Sequence, residues 1–386
     1  MIRLAAYKFR LYPTPDQEVL MSKHFGCCRF VYNHFLRQRI DNYENCGQSS
    51  TYVNDANQLP ALKLDLEWLK EVGSHSLQWA LKNLQTAYDN FFAKRADFPS
   101  FKSKYKKQSF KVPQGVRIKN GKLVLPKFLE GIPIVFHRQV EGTIKYATVS
   151  KNKSGNYFVS ITVERDIQEL PETTGRIGID LNIKDIVDNN GNKIEHPRPE
   201  EQHKSRLKLL AQAVSRSIKG SKGREKARRK LAKFKQYCHD VREDFLHKVS
   251  RHIINENQVI CAENLSVESM LANRGKRTKK WLHRQLQDCG FASLLNKLAY
   301  KALWYGRQFV QVNRWFPSSQ LCNHCGWRYE DLPKECKEWV CFGCWEINDR
   351  DYNSAKNILD EGIRTAGTAG IAYRPDVRPT CRQLVG

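Results

Sequence analysis

The sequence predicts a multidomain α+β protein. A small β-barrel interrupted by a helical block comes first, and an α/β domain carrying an inserted four-cysteine ribbon follows. Three observations predict this. Short alternating runs punctuated by Gly turns cluster between residues 110 and 165, after a stretch of helical periodicity from about 16 to 95. A second mixed region begins with the apolar run Ile177-Gly178-Ile179-Asp180. Near the far end, two Cys-x2-Cys pairs stand fifteen residues apart.

Bulk composition narrows the partner. The chain has 386 residues, with 65 Lys and Arg against 40 Asp and Glu, a formal charge of +25. Such a field attracts polyanions, so nucleic acid is the leading partner, and a small-molecule substrate is not expected. No apolar run approaches the roughly 20 residues that span a bilayer, and the opening residues lack a signal-peptide core. A cytoplasmic protein with no membrane partner is therefore expected. In a reducing compartment its twelve cysteines read as metal ligands and buried fillers rather than disulfides.

In order along the chain, Leu4, Ala6, Lys8 and Arg10 alternate as a strand until Pro13 and Pro15 break it. Leu77, Leu81, Leu84, Tyr88 and Phe91 then form an apolar stripe at helical spacing. Phe98 and Phe101 stand beside Lys102, Lys104, Lys106 and Lys107, a pairing of rings and cations that suits bases and phosphates. Tyr157, Val159, Ile161 and Val163 alternate within the barrel region, and the N-terminal strand is expected to complete that barrel. After the linker Pro171–Gly175, Asn189-Asn190-Gly191 reads as a hairpin turn. One long helical region is expected over about 200–254. Between His203 and Lys235 it carries thirteen Lys and Arg, among them Lys219, Lys222, Arg224, Arg228 and Arg229, against the single acid Glu225. A solvated helix ordinarily mixes signs, so this excess points to a polyanion. Val259–Ala262 is the next strand, Phe291 to Ala302 a helix stopped by Gly306, and Phe309–Val312 another strand.

Cys322, Cys325, Cys341 and Cys344 form two knuckles that suit a closed tetrahedral zinc site, with His324 and Cys336 as nearby substitutes. A closed site of that kind performs no chemistry, so catalysis must come from elsewhere. Three acids stand at suggestive places: Asp180 and Glu263 at strand ends, and Asp351 at a helix start. Brought together they would hold a pair of Mg²⁺ or Mn²⁺ ions for phosphodiester hydrolysis. Singly, each is equally a turn residue or a helix cap, and Asp185 and Asp349 are alternatives. The order strand-Asp, hairpin, helix, strand-Glu, helix, strand, helix-Asp is that of an RNase H-like nuclease core.

With these residues in view, the chain resembles the TnpB (OrfB) family of insertion-sequence proteins, relatives of type V CRISPR effectors. The likeness is carried by Lys8–Thr14, Gly26–Asn33, Phe98–Lys104, Ala147–Ser150, Tyr157–Ser160, Phe316–Gln320 and Asp349-Arg350-Asp351 with Asn353 and Asn357. It implies an RNA-guided DNA endonuclease: a guide RNA pairs with one strand of double-stranded target DNA, a short flanking motif is read by the protein, and one RuvC-like site cuts. The resemblance carries the catalytic triad onto Asp180, Glu263 and Asp351 and the zinc ligands onto the four cysteines. It implies a wedge β-barrel over 1–14 and 109–172, with a helical recognition domain over 15–108 inserted in it. A RuvC-like nuclease domain follows over 173–361, with the ribbon at 317–348, and 362–386 is expected to be a disordered tail. Three departures from the resemblance stand inside the motifs. Asn182 replaces the usual Gly after the first acid, Ser354 replaces a common Ala, and Asn348 precedes Asp349 where His or Asp is usual. Because the ribbon lies between Glu263 and Asp351, it is expected to be a rigid flap beside the acids.

Overall fold

Alternation from Ile2 to Leu11 produces strand β1, with Ala5, Tyr7, Phe9 and Leu11 buried. The computed structural model describes residues 2–265, 277–333 and 335–369, with the side chains of 277–280 and 367–369 outside that description. The chain divides into two units, Ile2–Asp166 and Ile167 onward.

In the first unit, helix α1 (Pro15–Cys46) opens with a capping box between Thr14 and Gln17. Helix α2 (Tyr52–Asp65), a short 3₁₀ turn (Glu67–Glu71) and α3 (Ser74–Phe92) follow. The stripe of α3 buries Leu77, Leu81, Leu84 and Tyr88. Strands β2 (Gln108–Val112), β3 (Arg117–Lys119), β4 (Lys122–Leu125), β5 (Phe128–Val135), β6 (Thr143–Lys151) and β7 (Tyr157–Asp166) join β1 in the order β2-β6-β7-β1-β5-β4-β3. The N-terminal strand pairs with β7 along its whole length, from Ile2↔Asp166 to Leu11↔Tyr157, so the helices are an insertion between sheet partners. Where the sequence suggests a barrel, the hydrogen-bonded ladder is a seven-stranded antiparallel sheet. No pairing joins its edge strands β2 and β3 among the described residues.

The second unit is built on a five-stranded sheet of order β10-β9-β8-β11-β12. Strands β8 (Arg176–Leu181), β11 (Val259–Glu263) and β12 (Gln308–Val312) run parallel. Strands β9 (Asp185–Asp188) and β10 (Lys193–Glu195) extend the sheet antiparallel through the turn at Gly191, where φ is +83. The helices are α4 (Pro199–Gln202), α5 (Lys204–Arg216), α6 (Lys222–Glu256), α7 (Arg277–Cys289), α8 (Phe291–Tyr305) and α9 (Arg350–Ala369). The ribbon contributes β13 (Glu338–Val340) and β14 (Ile347–Asp349). One sheet face packs Ile177, Ile179, Ile260 and Ala262 against Leu246, Val249 and Ile253 of α6 and Leu294 and Leu298 of α8. The opposite face is covered by α9, whose Ile358 packs with Cys261 and Val312.

Two expectations are corrected. The continuous helix over 200–254 is three helices. Gly220 at φ +85 ends the break after α5, and the Ser221 hydroxyl caps α6 by accepting from the backbone N–H of Arg224. The tail expected from 362 is instead helical as far as Ala369. Gly362 reads like a helix stop, but a Cβ there would lie 2.4 Å from Cys261 Sγ, so the glycine lets α9 lie close on β11. Residues 370–386 lie outside the described residues.

Candidate active site and metal centre

The strand pairing places the first two acids. β8 and β11 pair in parallel through Ile260↔Ile177 and Ala262↔Ile179, so the same register sets Glu263 beside Asp180. Neighbouring strands lie about 4.8 Å apart and alternate residues share a face. Asp180 therefore shares the face of Gly178, and Glu263 that of Cys261. That is the face α9 covers. A Cβ on Gly178 would fall 2.2 Å from the carbonyl oxygen of Ala355, so helix and strand touch backbone to backbone. Asp351 lies one turn before Ala355, and Asp180 two residues beyond Gly178. The helix start is thereby delivered to the strand ends.

The electrostatics record this convergence. Asp180 is pushed up to about 7, first by burial and then by the carboxylate of Glu263, with Asp351 adding to the effect. The Asn182 amide and the Lys337 ammonium act the other way. Each acid has a specific partner. Asn182 Nδ2 donates to Asp180 Oδ2 at 2.9 Å. Ser318 Oγ donates to Glu263 Oε1 at 2.6 Å. Lys337 Nζ donates to Asp351 Oδ2 at 2.6 Å. Asp349 is engaged differently. Its Oδ1 accepts from the backbone N–H of Asp351 and Tyr352, each at 3.0 Å, and its Oδ2 pairs with Lys193. It caps α9. Asp185 is buried, and its carbonyl accepts from the backbone N–H of Asn182.

Carboxylate oxygens crowded with like charge are the donor set that Mg²⁺ or Mn²⁺ takes, and Lys337 is the cation paired with the third of them. These oxygens are less tightly gathered than the sulfurs of the ribbon. Among the described residues, Cys322, Cys325, Cys341 and Cys344 are the only such group whose ligand atoms lie within 4.8 Å of one another. Sγ of Cys322 is 3.7 Å from that of Cys344, and Sγ of Cys325 is 3.5 Å from that of Cys341. A tetrahedral Zn–S bond of about 2.3 Å requires roughly 3.8 Å between sulfurs, so zinc fits. Cys336 instead donates to the Glu338 carbonyl, and His324 is exposed outside the cluster. The ribbon core is Leu332 and Trp339 packed on Cys322 and Cys341.

The ribbon is fastened to α9. The backbone N–H of Asn323 donates to Asn353 Oδ1 at 2.9 Å, and Asn357 Nδ2 donates to the carbonyls of Ser318 and Leu321. The Arg350 N–H donates to the Lys337 carbonyl at 2.7 Å. Sequence reasoning missed Lys337 and Ser318. Neither has a spacing signature, because each reaches its acid through tertiary packing.

The cations expected to meet nucleic acid divide into engaged and open groups. In the first unit, Lys102 Nζ sits 3.7 Å over the Tyr32 ring and the Lys102 backbone is held by Asn33, while Lys104 is exposed beside Tyr105. In the second unit, Arg224 donates to the Ser217 carbonyl and Arg229 pairs with Glu225. Lys219, Lys222 and Arg228 are exposed.

The second unit is thus a mixed α/β unit with Asp180 and Glu263 near adjacent strand ends and a cysteine ribbon bound to the helix that carries Asp351. Comparison with known proteins gives the family. Residues 1–48 match the helix-turn-helix domain of OrfB proteins, 158–274 a probable transposase of the same OrfB group, and 291–358 the Cas12f1-like TNB domain. A protein of Streptomyces pristinaespiralis is 40% identical over 377 residues, covering 96% of this chain and 92% of its own. InsQ of Escherichia coli (strain K12) is 32% identical, covering 94% and 93%. Both are named as candidate RNA-guided DNA endonucleases. The chain belongs to this TnpB (OrfB) family of insertion-sequence proteins. A solved Cas12f1–sgRNA–target DNA complex aligns over 93% of this chain at TM-score 0.48 and 14% identity. No described helix is long and apolar enough to cross a membrane.

Proposed function

We propose that this chain is an RNA-guided DNA endonuclease encoded by a transposable element, cutting target DNA at an RNase H-like (RuvC) site formed by Asp180, Glu263 and Asp351. The observation that carries this reading is the register that sets Glu263 beside Asp180 at the ends of two parallel strands, where burial first and then the carboxylates of Glu263 and Asp351 push Asp180 up to about 7. A fold has little reason to gather three carboxylates unless a divalent cation offsets their repulsion. Bound Mg²⁺ or Mn²⁺ would activate a water for in-line attack and stabilise the departing oxygen. The protein's own part is orientation and charge. Asp180 and Glu263 hold their carboxylates on one sheet face, Asp351 closes the set from α9, and Lys337 holds a positive charge beside Asp351 where a scissile phosphate would enter.

In this reading a guide RNA reads sequence by pairing, and the protein reads a short flanking DNA motif. Lys102 and exposed Lys104 in the first unit, and exposed Lys219, Lys222 and Arg228 in the second, neutralise phosphates. The zinc ribbon is a flap that steers one DNA strand to the acids. The test is to purify the chain expressed with its flanking element, sequence the RNA that accompanies it, and offer a duplex matching that RNA. A discrete RNA and Mg²⁺-dependent cutting are expected, with cutting abolished in Asp180→Ala, Glu263→Ala and Asp351→Ala while DNA binding persists. An RNA-free protein that binds DNA tightly would sink the guide reading. Cutting by Asp351→Ala but not Asp349→Ala would sink the assignment of the third acid.

A further inference from the structure

Two uncharged side chains are linked to the acids, Asn182 directly and Ser354 through Ser318. Asn182 Nδ2 donates to Asp180 Oδ2 at 2.9 Å, and the backbone N–H of Asn182 is itself bonded to the Asp185 carbonyl at 3.0 Å. The amide is thus anchored by the turn between β8 and β9. Ser354 is buried on α9 and donates a hydrogen bond from its hydroxyl to Ser318 Oγ at 3.0 Å. Ser318 in turn donates a hydrogen bond from its hydroxyl to Glu263 Oε1 at 2.6 Å. Each path fastens one oxygen of one carboxylate and so narrows the rotation of that group. Gly at 182 or Ala at 354 would have no side-chain donor for these bonds.

We infer that Asn182 and Ser354 are positioning residues that preset Asp180 and Glu263 for a divalent cation, so that this chain loads its metal at lower concentration than it would with Gly and Ala there. Partners one bond removed from a metal ligand act this way because they remove the entropy of aligning the ligand, and losing one weakens metal affinity by on the order of 10- to 100-fold. The inference rests on the reading that Asp180 and Glu263 hold a metal.

The experiment uses the full chain with its bound RNA. Mn²⁺ binding is measured by electron paramagnetic resonance titration without DNA, and the Mg²⁺ concentration giving half-maximal cleavage is measured separately. Ser354→Ala removes only the hydroxyl, and Asn182→Gly removes the amide together with the rest of its side chain, so Asn182→Ala is measured beside it to separate the lost donor from added backbone freedom. Each is expected to weaken Mn²⁺ binding about 10-fold and to raise the half-saturating Mg²⁺ by the same factor, while the cleavage rate at saturating Mg²⁺ stays within about twofold of wild type. Mn²⁺ affinity and Mg²⁺ half-point within about twofold of wild type in all three variants would overturn the inference, whatever happens to thermal stability. If wild type and Asp180→Ala bind Mn²⁺ identically, the metal-site reading fails instead.

Discussion

Replacing Gly178 by alanine tests whether the approach of α9 to β8 assembles the acids. The new Cβ would stand 2.2 Å from the Ala355 carbonyl oxygen and 2.7 Å from the Leu359 nitrogen. Both are backbone atoms, so no side-chain rotation relieves the clash. Moving from 2.2 Å to the 3.4 Å at which ordinary contact begins requires α9 to withdraw by about 1.2 Å. Overpacking of this size costs roughly 1–3 kcal/mol, which in a unit of this length lowers Tm by about 3–10 °C. The functional cost is larger. Asp351 lies one turn from the contact and moves with the helix, and a misplacement of about 1 Å at a reacting centre costs on the order of 100-fold in rate. Single-turnover cleavage of a guide-matched duplex, measured beside a thermal melt, reads both. Slow cutting with a modest fall in Tm is expected. Wild-type cutting in Gly178→Ala would refute the argument that the helix–strand contact places the third acid.

Other outcomes follow from the same geometry. Asp180 is held near 7 in the folded chain and ionises near 3.8 when unfolded, so the unfolded state releases its proton first. Without divalent cations, stability should therefore fall as pH rises from about 4 to 7; a melt series on Asp180→Asn should lose that slope, and an unchanged slope would remove Asp180 as its cause. Cys322→Ser should lose zinc, release the ribbon's hold on α9 and stop cleavage while RNA stays bound; full activity without zinc would end the structural role of the ribbon. Changing Lys219, Lys222 and Arg228 together to Gln should reduce the slope of log affinity against log salt by about 2–3, at roughly 0.9 per duplex phosphate contact. An unchanged slope would show that those cations do not meet the backbone. Lys337→Met should slow cutting without altering duplex affinity, as judged by a rate assay beside a binding isotherm; equal rates would leave its charge no part in the reaction.

What was legible in the sequence is what local chemistry dictates. The knuckle spacing of the four cysteines, the stripe of α3, the Gly306 stop of α8 and the strand ending at Glu263 each follow from residues close together in the chain, and β8 runs one residue past the expected end at Asp180, to Leu181. The choice between Asp349 and Asp351 was not legible, because both sit where a helix N-cap belongs. Tertiary packing distinguishes their partners: Asp349 accepts from two backbone N–H groups, whereas the Asp351 carboxylate accepts from Lys337. The break between α5 and α6 was hidden by a uniform run of cations, since charge predicts exposure and not helix continuity. Gly362 shows the limit most sharply. A glycine after an apolar stretch is the same signal whether it ends a helix or admits a neighbouring strand, and what distinguishes the two is the residue opposite. Here that residue is Cys261 on β11, next but one before Glu263. The glycine taken for the start of a tail is thus part of the contact that seats α9 on the strand carrying the second acid. It belongs with Gly178 as one of two bare backbone sites through which the helix of Asp351 is held against the strands of Asp180 and Glu263.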